Sequence, residues 1–318
     1  MSNAETKYIS EEKALVEIQK LLDAGADTDC VATGLAGLDS LGAWQMRIDI
    51  FHASPAHNKQ GIAIGLAGLD SDNAWKMRET LLNTGAYKGD IAMGLAGLDS
   101  DRAWEMRKIL LDVDTYDHSV AQGHMALSLT GLDSDEAWEM RLGLPNAEVG
   151  DVAMSLAGLD SDRAWKLRDR MIGLRSDTSN IAVRLTMGGI AVGLTGLDSD
   201  RAWEMRKKLL ISGVCKEDVA RGLAGLDSDR AWSMRRAFLD SGTAGEEVAL
   251  GLAGLDSNSA WEMREELLKT GTKKGFIVMG IVGDNIGFVW RLKAKGKSEE
   301  KAESENTDQK IRVEDIPW

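Results

Sequence analysis

The sequence predicts an all-α fold, a right-handed α-α solenoid of about nine 29-residue helical hairpins. Two observations lead to this prediction. The stretch GLDSDRAWEMR at 97–107 returns unchanged at 196–206, with near copies at 68–78, 131–141, 158–168, 225–235 and 254–264. The tryptophans of these copies also recur at a nearly constant interval. A catalytic motif is needed once in a chain, whereas a packing motif is needed in every repeating unit.

The tryptophan interval sets the repeat length. Trp203, Trp232, Trp261 and Trp290 are each 29 residues apart, and five earlier motif tryptophans lie at 44, 75, 104, 138 and 165. The two longest intervals are 34 residues from Trp104 to Trp138 and 38 from Trp165 to Trp203. The second contains a slipped duplication, IAVRLTMGG before IAVGLTGLD. We expect local bulges at both places, with stacking continuing past them.

Each unit is predicted to hold two helices. The first, such as Val219–Leu226, contains the glycines of GLAG, and these would let a neighbouring backbone approach closely. The Asp-Ser pair ends that helix, and Ser199 or Asp198 then caps the second one. Asp200 lies in the first turn of the second helix, where a carboxylate suits the helix dipole.

The second helix has a broad apolar face. At 100° per residue Ala202, Trp203 and Met205 share this face with Arg206, while Glu204, Lys207 and Lys208 point the other way. A buried arginine needs a partner, so we expect Arg206 to bond to an Asp of its own or the next motif. We expect the indole N–H to find a carbonyl. The residues given these structural roles are Asp101, Trp104 and Arg107, Asp200, Trp203 and Arg206, and Asp229, Trp232 and Arg235.

These residues resemble a short HEAT-type helical repeat of the phycobilisome-lyase-like kind. That family opens its second helix with Asp and places an apolar-Arg pair near its sixth residue, as Asp200 and Met205-Arg206 do here. Its first helix corresponds to EEVALGLAGL at 246–255. The resemblance covers roughly residues 12–293 and implies a solenoid scaffold, with a lyase-like accessory role as an alternative. The unit also faintly resembles the DNA-reading repeats of TAL effectors.

Sites for chemistry are weakly indicated. The D-S-D triplets could begin a calcium loop, but no glycine or glutamate follows at the required positions, so capping explains them better. The histidines His52, His57, His118 and His124 form no ligand pair and are interpreted as solvated loop residues. Cys30 and Cys215 have no paired histidine and should not meet in an elongated array. We therefore predict no enzyme activity, no cofactor and no metal.

Three regions are predicted along the chain. Residues 1–10 are tag-like or disordered, residues 11–292 form the solenoid, and residues 293–318 form a charged, disordered tail. The helix at Glu11–Ala24 should cap one end of the solenoid, and the divergent unit around Trp290 the other. No span or signal peptide is evident, so the predicted location is cytoplasmic. The net charge of −13 disfavours nucleic acid.

The predicted function is that of a non-catalytic scaffold or adaptor, which binds a protein or peptide along an extended surface. Residues fixed in every unit would be occupied by packing, so a partner should read the variable, outward positions of the second helices. A basic partner fits the acidic ones best. These candidate binding residues are Glu105, Glu139, Lys166, Glu204, Lys207, Lys208 and Glu262.

Overall fold

A computed structural model describes residues 8–55, 59–111, 118–173, 181–214 and 216–283. Within these ranges the fold is all-α, as the sequence predicts, with eighteen helices and a single isolated β-bridge between Tyr8 and Leu255. None of the helices in the described part of the chain has the length and apolar character of a membrane span.

The even-numbered helices are mostly short, and we call them the inner helices. They are α2 (Thr28–Thr33), α4 (Gln60–Ile64), α6 (Lys88–Met93), α8 (His118–Leu127), α10 (Val149–Met154), α12 (Ile181–Val192), α14 (Lys216–Arg221), α16 (Gly245–Leu250) and α18 (Lys274–Val282). The odd-numbered helices are called the outer helices. They are α1 (Glu11–Asp23), α3 (Leu41–Ala53), α5 (Asp72–Asn83), α7 (Asp101–Leu111), α9 (Asp135–Leu142), α11 (Asp162–Gly173), α13 (Asp200–Ile211), α15 (Asp229–Asp240) and α17 (Asn258–Lys269).

The inner helices form a closed circle. Each packs on the next one along the chain, from α2 on α4 through to α16 on α18, and α18 then packs on α2. The outer helices pack mainly against the inner helices beside them, so they lie on the outside of this circle. The predicted open, elongated array is therefore wrong. A closed ring leaves no terminal repeat with an exposed apolar face to be capped.

The first and last described helices, α1 and α18, form the hairpin that closes the ring. Helix α1 packs against α18, and the backbone N–H of Ile9 donates to the Gly254 carbonyl at 3.0 Å. The helix expected at Glu11–Ala24 is present, but it is the outer partner of α18 and not a cap. The other expected cap, around Trp290, and the tail at 293–318 lie outside the described residues.

The GLAG segments form turns. Helix α16 ends at Leu250, Gly251 follows, and Gly254 has φ +83°, in the left-handed region that suits glycine. The expectation that these glycines lie inside a helix is wrong, because the last one reverses the chain between the two helices. Its N–H donates to the Ile281 carbonyl of the next hairpin at 2.9 Å. Equivalent bonds join Gly37 to Ala67, Gly68 to Ala96, Gly97 to Thr130, Gly158 to Thr195, Gly196 to Ala224 and Gly225 to Ala253.

The first glycine of GLAG permits close packing of inner helices, as predicted. A Cβ on Gly251 would lie 2.1 Å from the Ala220 carbonyl oxygen of the preceding hairpin. The same relation holds where the ring closes, since a Cβ on Gly34 would lie 2.8 Å from Cγ1 of Val278. Val278 thus stands where the other hairpins have alanine.

Capping and stacking also follow the prediction. Ser199 is the N-cap of α13, and its hydroxyl accepts from the N–H of Ala202 at 3.4 Å, with Asp200 in the first turn. Around the long intervals, α8 packs on α6 and α10, and α12 packs on α10 and α14. The first copy of the duplicated segment and the start of the second form one long inner helix, α12, so stacking continues past both irregular places. Residues 112–117 and 174–180, where the bulges would lie, are outside the described residues.

Candidate functional site

The motif arginines are fully buried and bond to backbone carbonyls. Arg206 donates from Nη1 to Leu197 at 2.9 Å, and from Nη2 to Leu194 at 2.8 Å and Gly222 at 3.1 Å. These oxygens belong to its own GLAG turn and to the next one. The guanidinium also lies 4.7 Å from the centre of the Trp203 ring. The arginines at the equivalent positions are also 0–2 % exposed, and each donates to at least two backbone carbonyls; they are Arg47, Arg78, Arg107, Arg141, Arg168, Arg235 and Arg264.

The first aspartate of the motif serves the tryptophan. The Nε1–H of Trp203 donates to Oδ1 of Asp198 at 2.6 Å, and the hydroxyl of Ser228 in the next hairpin donates to the same oxygen at 3.2 Å. Asp198 therefore ties two successive hairpins together. The same pair of bonds is made by Asp39, Asp70, Asp99, Asp133 and Asp227.

The predicted bonding partners of Arg and Trp are thus exchanged. Burial of the arginines is confirmed, but the arginine–aspartate bond and the indole–carbonyl bond are wrong. Carbonyl groups at the end of a turn need donors, and the guanidinium fork supplies several to one place. Burial lowers the pKa of Arg206 to about 9, and the negative charge of Asp198 opposes this shift. The guanidinium therefore stays charged at neutral pH.

A second cation covers the outer face of several motif tryptophans. The guanidinium of Arg230 lies 5.3 Å from the Trp203 ring centre, and its Nη1 lies 2.8 Å from Oδ1 of Asp200. This arginine is the residue before Ala-Trp in the next motif. In the same way Arg102 covers Trp75, Arg163 covers Trp138 and Arg201 covers Trp165, at 4.7–5.4 Å.

The seven candidate binding residues are all exposed on outer helices. Glu105 and Glu204 each pair with a lysine one turn further on the same helix, Lys108 at 2.9 Å and Lys207 at 2.8 Å. Such exposed pairs contribute little to stability and leave the charges available to a partner. The candidates are Glu105 on α7, Glu139 on α9, Lys166 on α11, Glu204, Lys207 and Lys208 on α13, and Glu262 on α17.

The structure brings two of these candidates together in one groove. Helices α7 and α9 flank a cavity of about 750 Å³, whose walls include the partly exposed ring of Trp104. Its charged and apolar lining consists of Asp99, Asp101, Glu105, Lys108, Glu136, Glu139 and Met140. We call this cavity the Trp104 groove. Sequence reasoning missed it, although one signal was visible: Glu136 occupies the motif position that holds Arg102, Arg163, Arg201 and Arg230 elsewhere.

The last residues of several inner helices pack against one another. Ile64, Met93, Leu127 and Val192 are buried in a common apolar cluster. Arg221 departs from this pattern and lines a cavity of about 480 Å³ together with Asp218. Burial raises the pKa of Asp218, while the charge of Arg221 lowers it.

Several inner helices begin with a partly buried ionisable group. Burial raises the pKa values of Asp90 and Asp151 to about 6. His124 lies in α8 against the Tyr87 ring, and burial lowers its pKa. The expectation of solvated loop histidines is therefore wrong for His124, and His52 is also helical, in α3. His57 lies outside the described residues.

Other chemistry is sparsely represented in the described part of the chain. It contains no group of three or more His, Cys, Asp or Glu side chains placed to hold a metal ion. Cys30 is a free thiol whose pKa is raised to about 11, first by burial and then by Asp27. Such a thiol is a poor nucleophile at neutral pH. Cys215 lies outside the described residues.

Comparison with known protein families, curated proteins and solved structures finds no significant match to this chain. The HEAT-like relationship therefore remains a prediction from the sequence. The helices and their contacts are compatible with a helical repeat protein.

Proposed function

We propose that this protein is a non-catalytic scaffold that binds a protein or peptide partner on the outer helices of its ring. In this proposal the hairpins are about nine HEAT-like repeats with a right-handed sense, and the protein acts in the cytoplasm. The motif residues support it indirectly, since the arginine, the first aspartate and the serine of the motif are occupied in packing. Binding then falls to the variable positions between them.

The Trp104 groove is the observation that carries the proposal. Two variable positions chosen for their outward direction, Glu105 and Glu139, line one cavity beside a partly exposed aromatic ring. Aromatic surface beside charged groups is typical of protein-binding sites. The carboxylates and the net charge of −13 favour a basic partner. Tight nucleic-acid binding is disfavoured by the same charge.

Charge reversal tests this function. The chain and a variant carrying Glu105→Lys, Glu139→Lys and Glu204→Lys serve as baits in extracts of the native host. We expect a partner that the unchanged chain retains and the variant loses, with retention falling as salt rises. The matched control carries Glu12→Lys, Asp49→Lys and Glu265→Lys, the same charge change on α1, α3 and α17. Equal loss in both variants, or loss in neither, would contradict binding at these helices.

A further inference from the structure

The outer face of a motif tryptophan is a binding place for a cation. At Trp203 the cation is Arg230, which stacks on the ring at 5.3 Å and pairs with Asp200 at 2.8 Å. At Trp75 and Trp138 the next motif supplies Arg102 and Arg163 in the same way, paired with Asp72 and Asp135. The ring face and the first carboxylate of the outer helix together attract the positive group.

The closing hairpin shows that this binding place does not depend on the motif arginine. Around the ring, the outer helix next to that of Trp261 is α1, which lacks the motif. Its Lys13 nevertheless lies 4.7 Å from the Trp261 ring centre and forms an ion pair with Asp256. A different residue from the other end of the chain thus fills the same place. A cation can therefore occupy this place whether it comes from a motif arginine or from another segment.

The Trp104 groove is this same binding place without its cation. The residue that would cover Trp104 is Glu136, so an acid stands where the other motifs have arginine. Trp104 stays partly exposed, whereas Trp75 and Trp203 beneath their arginines are 2 % and 3 % exposed. Five carboxylates line the groove against one ammonium group, that of Lys108, which is paired with Glu105 at 2.9 Å.

Two other motif tryptophans also lack an arginine, but their surroundings differ. Trp44 faces Asn73 from the next motif and is 1 % exposed, so no ring surface is left for a ligand. Trp232 faces Ser259, and the positions of Glu105 and Lys108 are taken there by Ser233 and Arg236, the latter paired with Glu266 at 2.8 Å. The Trp104 groove thus combines a partly exposed ring with five lining carboxylates.

We propose that the Trp104 groove binds an arginine side chain of a partner protein. The guanidinium stacks on Trp104 and bonds to Asp101, as Arg230 does with Trp203 and Asp200. Glu136 and Glu139 line the opposite wall and add to the negative potential. Arginine is favoured over lysine, because its planar group stacks and forks to a carboxylate at the same time. This inference rests on the proposed function, since it assigns the basic group of the partner.

A short peptide tests the groove without knowledge of the partner. Acetyl-Gly-Arg-Gly-amide is titrated into the full chain labelled with ¹⁵N-tryptophan, and the indole N–H signal of Trp104 is identified by its loss in Trp104→Phe. We expect a saturable shift of that signal which weakens with salt. The same peptide with citrulline, the neutral isostere of arginine, should give no saturable shift, and the lysine peptide should bind more weakly.

The chain offers its own competitor. Glu136→Arg turns GLDSDEAWEMR into GLDSDRAWEMR, which it already contains twice, so the variant should fold. The new arginine should occupy Trp104 internally and weaken peptide binding at least ~10-fold. Glu136→Gln leaves the groove open and should weaken binding less than about fivefold, by charge alone. The reverse change, Arg230→Glu, should open a second site whose signal is the indole of Trp203.

The outcomes separate this inference from the proposed function. A shift of equal size with citrulline, no saturable shift with arginine, or full binding by Glu136→Arg would each overturn the arginine site. None of these results concerns the other outer helices, where loss of a partner on charge reversal would still support a scaffold. The reverse outcome is also distinguishable. If the arginine peptide binds at Trp104 but the charge-reversal variant retains every partner, the arginine site is supported and the proposed scaffold function is contradicted.

Discussion

The hairpin of α14 and α15 comes from one continuous stretch of chain, whereas the hairpin that closes the ring joins α18 to α1, which lie about 250 residues apart in the sequence. We call them the internal hairpin and the closing hairpin. Both keep the close approach of inner helices, with Gly222 under the Ala191 carbonyl in one and Gly34 against Val278 in the other. Both also lie beside a Trp–cation pair, Trp203 with Arg230 and Trp261 with Lys13.

The two hairpins differ in their buried polar network. In the internal hairpin, Arg235 bonds to three carbonyls, and the N–H of Gly225 reaches Ala253 in the next hairpin at 3.0 Å. Helix α1 has no arginine and buries Ala14 and Ile18 instead. The N–H of Gly283 turns back to Met279 of its own helix at 2.7 Å. The closing hairpin thus copies the shape of the repeat without its polar network, so we expect the ring to open there first.

Removal of α1 should lower the free energy of unfolding more than any other change to the two hairpins. Deletion of residues 1–23 uncovers α17 and α18 and removes Ile18, Ala14 and the partly buried Leu21 and Leu22. We expect a loss of roughly 5 kcal/mol in the free energy of unfolding, by area burial, measured in urea. In a Cys215→Ser background, the Cys30 thiol beside Gly275 should also become faster to alkylate. Deletion of residues 1–7, which lie outside the described residues, is the control. Equal stability of the two deletions would show that α1 does not hold the ring closed.

Loss of a buried motif arginine should have the next largest effect on the free energy of unfolding. Arg206→Ala leaves the carbonyls of Leu194, Leu197 and Gly222 without this donor and removes the support under Trp203. We expect a cost of about 3–5 kcal/mol in urea unfolding. Arg206→Leu should also cost ~3 kcal/mol, since it restores volume but no donor. Lys13→Ala, at the half-exposed cation of the closing hairpin, should cost less than about 1 kcal/mol. A tolerated Arg206→Leu would mean that the carbonyls find water instead.

Glycine substitutions test whether the inner helices pack as tightly at the closing hairpin as elsewhere in the ring. A Cβ on Gly251 would lie 2.1 Å from the backbone oxygen of Ala220, which cannot move alone, so Gly251→Ala should cost ~3 kcal/mol. A Cβ on Gly34 would meet the Val278 side chain at 2.8 Å, which can rotate, so Gly34→Ala should cost about 1 kcal/mol. Adding Val278→Ala should reduce the cost of Gly34→Ala and leave the cost of Gly251→Ala unchanged. Thermal unfolding of each glycine variant, with and without Val278→Ala, measures these costs. Equal costs for Gly251→Ala and Gly34→Ala would mean that the two interfaces accommodate a Cβ equally well.

The smallest effect concerns pH. Asp90 and Cys30 share one position, four residues before the glycine that follows the inner helix. Burial, followed by the charge of Asp29, raises the pKa of Asp90 to about 6, so folding favours its protonated form. Its contribution to stability is thus full below pH ~4 and lost as pH rises through ~6. Asp90→Asn should gain roughly 1 kcal/mol at pH 7 after allowance for solvent access, and little at pH 4.

Cys30 is the control for this pH effect. Burial and Asp27 raise the pKa of its thiol to about 11, so the group is neutral throughout this range. Cys30→Ala should therefore change stability by the same amount at pH 4 and pH 7. A gain for Asp90→Asn that does not depend on pH would show that the buried charge is not its cause.

The sequence by itself determined the local structure of each hairpin. The Ser199 cap, the first-turn Asp200 and the apolar face of Trp203 and Met205 are decided within one motif. Capping and helical periodicity act over a few residues and can be read from spacing. The outward direction of Glu105 and Glu139 followed from the same periodicity, and so did the burial of Arg206.

Only the tertiary structure decided the partners and the closure. Asp198 and the Leu194 and Leu197 carbonyls are all near Arg206 in sequence, and the path of the GLAG turn selects between them. Closure depends on a rotation of about 40° per hairpin summed over nine inner helices, a quantity that no single motif encodes. A small change in that rotation would give an open spiral from the same motif. After nine inner helices the summed rotation reaches one full turn, so α18 meets α2. Helix α1 then lies beside α18 and serves as its outer helix.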